Sequence, residues 1–358
     1  MPYLDQSKIA LPKDETNYNT WADYIELFCL LHPDRNLSVE TILDRLIDEN
    51  DGDADKALSQ IRGAANQINT ILVDKIADDQ IDTSFNDPET EQKIKNAILT
   101  IVQYIKKRKS LIPEHYPFAV NPHNQLSAIQ SDSLTSNHKL YIILLLSSLI
   151  RVIQRKEGFT YRITHRFEEL CRAPFSQLVP SGANLVFFGA GGYISDAESG
   201  AVINGSFYSK IVQLSKLLKV PTTKLFTPEN AGVNNNGDGG LDWLAYFPFD
   251  DDLSTTPTVF AQCACGNDWE EKMFDTHMDK WRNYITWLND YSKIHFIPKS
   301  FRDENNAWLN EISIFNCTLV DRFRLIGLIQ RSGNIEPVID IYTDILEEVE
   351  NTQIDFNS

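Results

Sequence analysis

Two short apolar segments, each with one polar side chain, most constrain how this chain can fold. The first, at 240–247 (GLDWLAYF), begins in the Gly/Asp turn of residues 237–242 (GDGGLD). The second occupies 258–265 (TVFAQCAC). The connection between them, PFDDDLSTTP at 248–257, is rich in turn-forming residues. The two segments are therefore predicted to form a β-hairpin.

This hairpin predicts which polar side chains meet. The midpoint between Asp242 and Gln262 falls within half a residue of the centre of the connection, so a near-symmetric register places them opposite each other. Side-chain alternation puts Asp242 on the face of Leu244, and Gln262 on the face of Ala264. A carboxylate and an amide oxygen can hold Mg²⁺, with the main-chain carbonyl of Cys263 as a third donor. The hairpin is a candidate metal site; a purely structural hairpin is the alternative.

The surrounding pattern indicates an α/β domain. Apolar segments at 184–188 and 293–297 predict two more strands. Helical spacing of apolar residues recurs in four further segments of the C-terminal half: 160–171, 207–218, 268–289 and 318–330. Strands interspersed with helices are typical of a central sheet covered by helices.

The turn at 237–242, followed by a strand that carries Gln262, resembles the PD-(D/E)XK nuclease superfamily. It is closest to the restriction-endonuclease-like branch with Gln in the third motif. In that branch a helix with Phe-Glu precedes the turn, and Phe167 and Glu168 occupy that place. Over roughly residues 160–300, the resemblance implies a four-stranded mixed sheet flanked by helices. It also implies a Mg²⁺ cofactor, with Mn²⁺ as a substitute, and cleavage of DNA phosphodiester bonds.

The resemblance assigns roles to individual residues. Asp242 corresponds to the acid of the second motif, Gln262 to the amide of the third, and Glu168 to the acid of the first helix. These three, with Cys263, are the implied metal ligands. Many relatives act in restriction or antiphage defence, so an effector of such a prokaryotic system is expected. Asp238 is expected to cap the turn rather than to bind metal.

One departure from the family pattern concerns its lysine. The family places Lys two residues after the acid or amide, where this chain has Ala264. Some relatives supply the lysine from the following helix, and Lys272 in WEEK at 269–272 could reach back to the site. Lys272 is therefore predicted to stabilise the attacking water or the charge of the transition state. The alternative is a silent nuclease fold that serves as an assembly or DNA-binding subunit.

The N-terminal part predicts a separate all-α domain over residues 1–138, before a nuclease domain at 139–358. Residues 1–100 contain 20 acidic against 9 basic side chains, which suggests either a solvated surface or a docking surface for a partner protein. Helical spacing recurs up to about residue 115, and a polar segment at 116–138 predicts a linker. A long apolar helix is expected at 139–156.

The net charge of −17 argues against DNA binding over the whole surface. A local basic surface is the better candidate: six Arg and Lys lie between Arg151 and Arg172, and KKRK occupies 106–109. Five widely spaced Cys fit a reducing cytoplasm. Neither a signal peptide nor a membrane span is expected, since the longest apolar run covers only 140–150. Dimerisation would let two active sites cut both strands.

Overall fold

A computed structural model of the 358-residue chain describes residues 4–12, 17–72, 88–155, 158–188, 201–232, 235, 237–303 and 305–351. It divides into two compact units, each made of discontinuous segments. The first comprises Met1–Thr160, Lys299–Leu309 and Ile335–Ser358, and the second Tyr161–Pro298 and Asn310–Asn334. This grouping differs from the contiguous domains expected from the sequence. C-terminal residues return to the first unit, where Glu336 accepts a hydrogen bond of 2.6 Å from Ser136.

The first unit is mainly helical, as predicted. Its helices are α1 (Tyr18–Leu31), α2 (Val39–Asp48), α3 (Ala54–Leu72), α4 (Pro88–Leu111), α5 (Ser136–Ser148), α13 (Glu336–Asp340) and α14 (Thr343–Asn351). Helix α1 is buried along its whole length. Ser38 caps α2 by accepting the backbone N–H of Thr41.

The expectation that this region is all-α was wrong. It also contains the short strands β1 (Leu4–Ile9), β2 (Asn36–Leu37), β3 (Phe118–Val120), β4 (Leu126–Ala128) and β5 (Ile153–Arg155). The expected linker at 116–138 includes the β3–β4 hairpin, whose turn is closed by Asn121 accepting the N–H groups of His123 and Gln125. The expected helix at 139–156 ends at Ser148, and β5 pairs antiparallel with β1.

Arg108 organises the core of the first unit and so does not belong to a phosphate-binding surface. Its side chain is fully buried and forms ion pairs of 2.6 Å with Asp23 and 2.9 Å with Glu26. The hydroxyl groups of Tyr116 and Tyr141 also donate to Glu26. Within KKRK at 106–109, only the lysines are exposed. Lys156 of the other predicted basic segment lies outside the described residues.

The second unit contains a mixed sheet with six strands in the described part of the chain, rather than four. The strands are β6 (Asn184–Phe187), β7 (Ala201–Val202), β8 (Trp243–Tyr246), β9 (Thr258–Cys263), β10 (Ser292–Phe296) and β11 (Thr318–Val320). Their order is β11-β10-β9-β8-β6-β7. Strand β8 is antiparallel to β6 and β9, and the remaining pairs are parallel. A mixed α/β class is thereby confirmed.

The described helices of this unit are short. They are α6 (Phe159–Leu170), α7 (Arg172–Leu178), α8 (Phe207–Leu217), α9 (Pro228–Ala231), α10 (Trp269–Lys272), α11 (Met278–Trp281) and α12 (Arg322–Arg331). The prediction of one helix at 268–289 was wrong, because the chain turns between α10 and α11. Trp281 donates from its indole to the carbonyl of Asp275 at 2.8 Å, and His277 caps α11, so this turn is held by side chains.

An apolar core lies on one face of the sheet. Leu244 and Phe260 from β8 and β9 pack there with Ile211 of α8 and with Trp281. The ring of Phe260 lies 4.8 Å from that of Trp281. Among the described helices of both units, none is sufficiently long and apolar to cross a membrane.

Candidate active site

The predicted β8–β9 hairpin is present, and Asp242 lies beside Gln262 at its open end. The β8–β9 ladder pairs Trp243 with Ala261 and Leu244 with Phe260. The ladder ends at the first of these pairs, and Asp242 precedes it: its backbone N–H donates to the carbonyl of Ala261 at 3.1 Å, and its Oδ2 accepts the N–H of Cys263. Asp242 is therefore bonded to both sequence neighbours of Gln262. Both side chains are buried, with exposed fractions of 5% and 4%.

Asp242 is a carboxylate in an unfavourable environment. Its Oδ2 accepts one hydrogen bond of 2.6 Å from the backbone N–H of Cys263. Burial raises the pKa of this carboxyl well above its usual range, and the nearby charges of Glu168 and Asp238 raise it further. The Cys263 N–H and the Lys272 ammonium lower it. The site therefore lacks enough positive charge to compensate its carboxylates.

The side-chain oxygen of Gln262 is a hydrogen-bond acceptor that has no donor among the described residues. Its amide Nε2 donates to Asp275 Oδ2 at 3.4 Å. Its Oε1 is buried and accepts no hydrogen bond from any residue that the structure describes. A buried carbonyl oxygen without a partner is costly, which makes it a position for a missing donor or cation.

The Gly/Asp turn fixes the approach to this pair. Asp238 Oδ1 accepts the backbone N–H of Gly240 at 2.7 Å, so Asp238 caps the turn as expected. Gly240 has a φ of +83°. A Cβ at this position would lie 2.2 Å from the Cβ of Asp275. Glycine thus allows both the left-handed turn and the close approach of Asp275 to Gln262.

Asp275 and Lys280 belong to the site although the sequence did not indicate them. Lys280 Nζ lies 2.6 Å from Asp275 Oδ1 and 2.9 Å from the carbonyl of Gly239. The ion pair between Asp275 and Lys280 therefore links the Gly/Asp turn to the amide of Gln262. The one sequence signal related to Asp275 is the glycine at position 240, which leaves space for it. A glycine in a sequence does not show which residue occupies that space, so Asp275 could not be identified in this way.

Glu168 lies near Asp242, as predicted, but its own contacts are with α6 and β8. Its carboxylate is 3.1 Å from His165 Nδ1. Its backbone carbonyl accepts the indole N–H of Trp243 at 2.7 Å, which fixes the end of α6 against the sheet. Its charge contributes to the raised pKa of Asp242.

Lys272 lies within electrostatic range of the site without contacting it. Its ammonium is 4.0 Å from Asp268, at the start of the same helix, and both side chains are partly exposed. Its charge lowers the pKa of Asp242. The structure thus brings Lys272 to the neighbourhood of the metal-site candidates, and its catalytic role stays a prediction.

Cys263 contributes its backbone N–H to Asp242, and the predicted use of its carbonyl as a metal ligand stays a prediction. Its thiol lies beside that of Cys171. The thiol is therefore directed away from the face that carries Gln262.

Lys210 is a second basic residue that the sequence did not indicate. This α8 side chain is buried, and its Nζ donates to the carbonyl of Gly237 at 3.3 Å. Burial lowers the pKa of Lys210, whereas the charges of Asp238, Asp242 and Glu168 raise it. Lys210 is thus a counter-charge for these three carboxylates.

The donor set fits a hard divalent cation in its chemistry. Asp242 supplies a carboxylate short of positive charge, and Gln262 supplies an oxygen short of a donor. Mg²⁺ binds through one or two carboxylates and retains several waters, so a complete protein cage is not required. In the described part of the chain, no three His, Cys, Asp or Glu side chains form a cluster that could hold a metal ion. Compared with known proteins, the chain matches no family model, no curated protein and no solved structure.

Proposed function

We propose that the second unit is a metal-dependent endodeoxyribonuclease that hydrolyses phosphodiester bonds of DNA. The observation that carries this proposal is the unpartnered Oε1 of Gln262 beside Asp242, a buried carboxylate short of positive charge. Asp242 and Gln262 would hold Mg²⁺ or Mn²⁺, with the Cys263 carbonyl and Glu168 as further ligands. A bound cation would polarise the phosphodiester and lower the pKa of an attacking water.

The side chains around the cation site have separable roles in this proposal. Asp275 holds the Nε2 end of the Gln262 amide, which leaves Oε1 directed to the site. Lys280 holds Asp275 in turn. Lys272 would take the role of the missing motif lysine. Its ammonium would stabilise negative charge that develops on the phosphate.

A silent nuclease-like fold that acts as an assembly or DNA-binding subunit is the second candidate. Three observations favour it. Ala264 replaces the family lysine, and the ammonium of Lys272 is engaged 4.0 Å from Asp268. Asp242 and Gln262 are also almost completely buried, so a substrate reaches them only if the structure opens.

The cellular role and partners are proposed on narrower grounds. An effector role in prokaryotic defence or restriction rests on the family resemblance, and cytoplasmic localisation on the cysteine spacing. The acidic charge of residues 1–100 supports docking of a partner protein in this region. A homodimer would place two sites on the two DNA strands.

Cleavage of plasmid DNA tests the proposal. Purified protein is incubated with supercoiled plasmid and Mg²⁺ or Mn²⁺, beside the variants Asp242→Ala, Lys272→Ala and Lys224→Ala. Lys224 is an exposed lysine of the same unit and serves as the control. Loss of nicking in the first two variants, with retention in the third, supports both assignments.

Other outcomes separate the candidates. Loss in Asp242→Ala alone keeps the metal site and removes Lys272 from the mechanism. Metal-independent nicking, or nicking that survives Asp242→Ala, contradicts the proposal. Retained DNA binding without cleavage supports the silent fold.

A further inference from the structure

A third buried polar side chain lies next to Gln262, on the strand at the other side of β9 from β8. Strand β10 runs parallel to β9, and their register pairs His295 with Gln262. Gln262 is therefore flanked by His295 on β10, and also by Asp242, which immediately precedes β8 and whose carboxylate accepts the backbone N–H of Cys263. Paired residues of neighbouring strands project from the same face, so Gln262 and His295 share a face. We call the side chains of Asp242, Gln262 and His295 the row.

His295 has the chemistry of a ligand rather than of a charged partner. It is 1% exposed, and apart from one hydrogen bond with the backbone of Trp269 its ring nitrogens have no partner among the described residues. A neutral imidazole has a lone pair on one nitrogen, which is what metal ligation requires.

Two adjacent members of the row thus have a buried polar atom that lacks a partner in the described chain: Oε1 of Gln262 and one ring nitrogen of His295. A buried polar atom without a partner is costly, and because these two lie at paired positions of neighbouring strands, one shared partner would satisfy both. Asp242, at the other end of the row, supplies negative charge. A cation satisfies all three, whereas a water cannot neutralise the carboxylate.

We propose that His295 is a protein ligand of the cation at this site, and that the site selects a first-row transition ion such as Mn²⁺ over Mg²⁺. This inference rests on the proposed metal site. One carboxylate oxygen, one amide oxygen and one imidazole nitrogen form a mixed donor set. Imidazole suits transition ions, whereas Mg²⁺ prefers oxygen ligands throughout.

Pulsed EPR of Mn²⁺ bound to the full chain tests the assignment without relying on cleavage. Protein freed of metal with a chelator is titrated with Mn²⁺, and nitrogen coupling to the bound ion is recorded with natural and ¹⁵N-histidine-labelled protein. We expect a histidine nitrogen coupled to one Mn²⁺ per chain. His295→Gln should abolish that coupling and weaken Mn²⁺ binding at least tenfold, since even outer-shell changes typically cost about 10- to 100-fold.

His115→Gln is the matched control. His115 is a buried histidine of the first unit, and its Nε2 also lacks a partner in the described chain. This variant should retain both the nitrogen coupling and the Mn²⁺ affinity. If His295→Gln does not fold, His165→Gln and His277→Gln decide the assignment, because loss of the coupling in either would overturn it.

The outcomes distinguish this inference from the proposed function. Mn²⁺ binding that depends on Asp242 but shows no histidine coupling, or tighter binding of Mg²⁺ than of Mn²⁺, overturns the role of His295 and leaves the nuclease proposal standing. Absence of any Mn²⁺ binding overturns both. Coupling that disappears only in His295→Gln supports the inference whether or not the protein cuts DNA.

Discussion

Asp275 occupies the space that a side chain at Gly240 would need, since a Cβ there would lie 2.2 Å from the Cβ of Asp275. The close approach joins the turn before β8 to the turn between α10 and α11. It also places Asp275 against the amide of Gln262. The glycine is therefore part of the geometry of the site.

Gly240→Ala should destabilise the protein more than a glycine substitution without a clash. Alanine at positive φ costs about 1–2 kcal/mol. Overpacking against Asp275 adds about 1–3 kcal/mol. Gly333→Ala is the control, because Gly333 has a φ of +74° and open space around its Cβ position. Urea unfolding of both variants measures the difference; equal losses would show that Asp275 moves aside without cost.

Asp242→Asn should stabilise the metal-free protein at neutral pH. The pKa of this carboxyl is higher in the folded protein than in the unfolded chain. Its contribution to stability is therefore complete below the ordinary aspartate pKa of about 3.9, where the carboxyl is neutral, and is lost as the pH rises through the folded-state pKa. Asparagine stays neutral and can still accept the Cys263 N–H. The advantage of the variant in thermal unfolding with chelator should therefore grow between pH 4 and pH 7. A variant less stable than wild type at pH 7 would contradict this account.

With added Mn²⁺, the wild type should become more stable than Asp242→Asn. Binding to the folded wild type raises its unfolding temperature by mass action, and the variant lacks the carboxylate that binds. The comparison uses the same buffer with and without the ion. A rise of equal size in both proteins would place the bound Mn²⁺ elsewhere.

Lys272→Met should separate catalysis from stability. Loss of a charge that stabilises the transition state typically lowers the rate by about 10²- to 10³-fold. The partly exposed side chain should cost less than about 0.5 kcal/mol in urea unfolding. Mn²⁺ should bind more tightly to this variant, because the ammonium that acts on Asp242 and His295 is gone. Lys224→Met, which removes a distant exposed lysine, should change neither quantity.

Arg108→Met should be among the most damaging substitutions in the first unit. It leaves Asp23 and Glu26 buried without their guanidinium, and breaking such a pair costs about 3–5 kcal/mol. Lys107→Met, at the exposed neighbouring position, should change stability by less than about 0.5 kcal/mol. Chemical unfolding of both variants measures the contrast, and a small effect at Arg108 would show that water enters the core to solvate the carboxylates.

The local parts of the candidate site could be predicted from the sequence. Asp242 lies beside Gln262 at the open end of a hairpin, and the position of a turn-rich connection determines the register of its strands. The capping role of Asp238 was predictable for the same reason, since it depends on residues two positions apart. Mainly helical structure before residue 115 followed from apolar spacing.

The non-local parts could not be predicted. His295 joins the row through parallel pairing of β9 with β10, and no pattern within either strand specifies that register. Asp275 reaches Gln262 because the expected helix at 268–289 is interrupted by side-chain hydrogen bonds. The short strands of the first unit were missed because two or three residues show no alternation.

The parallel pairing of β9 with β10 also determines when the candidate site can assemble. Parallel strands need a long crossover connection, and contacts between distant segments form later than those of a hairpin. The crossover at 264–291 carries Lys272, Asp275 and Lys280, and its closure delivers His295. A chain that emerges during synthesis can bring Asp242 and Gln262 together early, yet it lacks the remaining groups until the crossover has docked. Assembly order thus delays completion of the site until this part of the unit has folded.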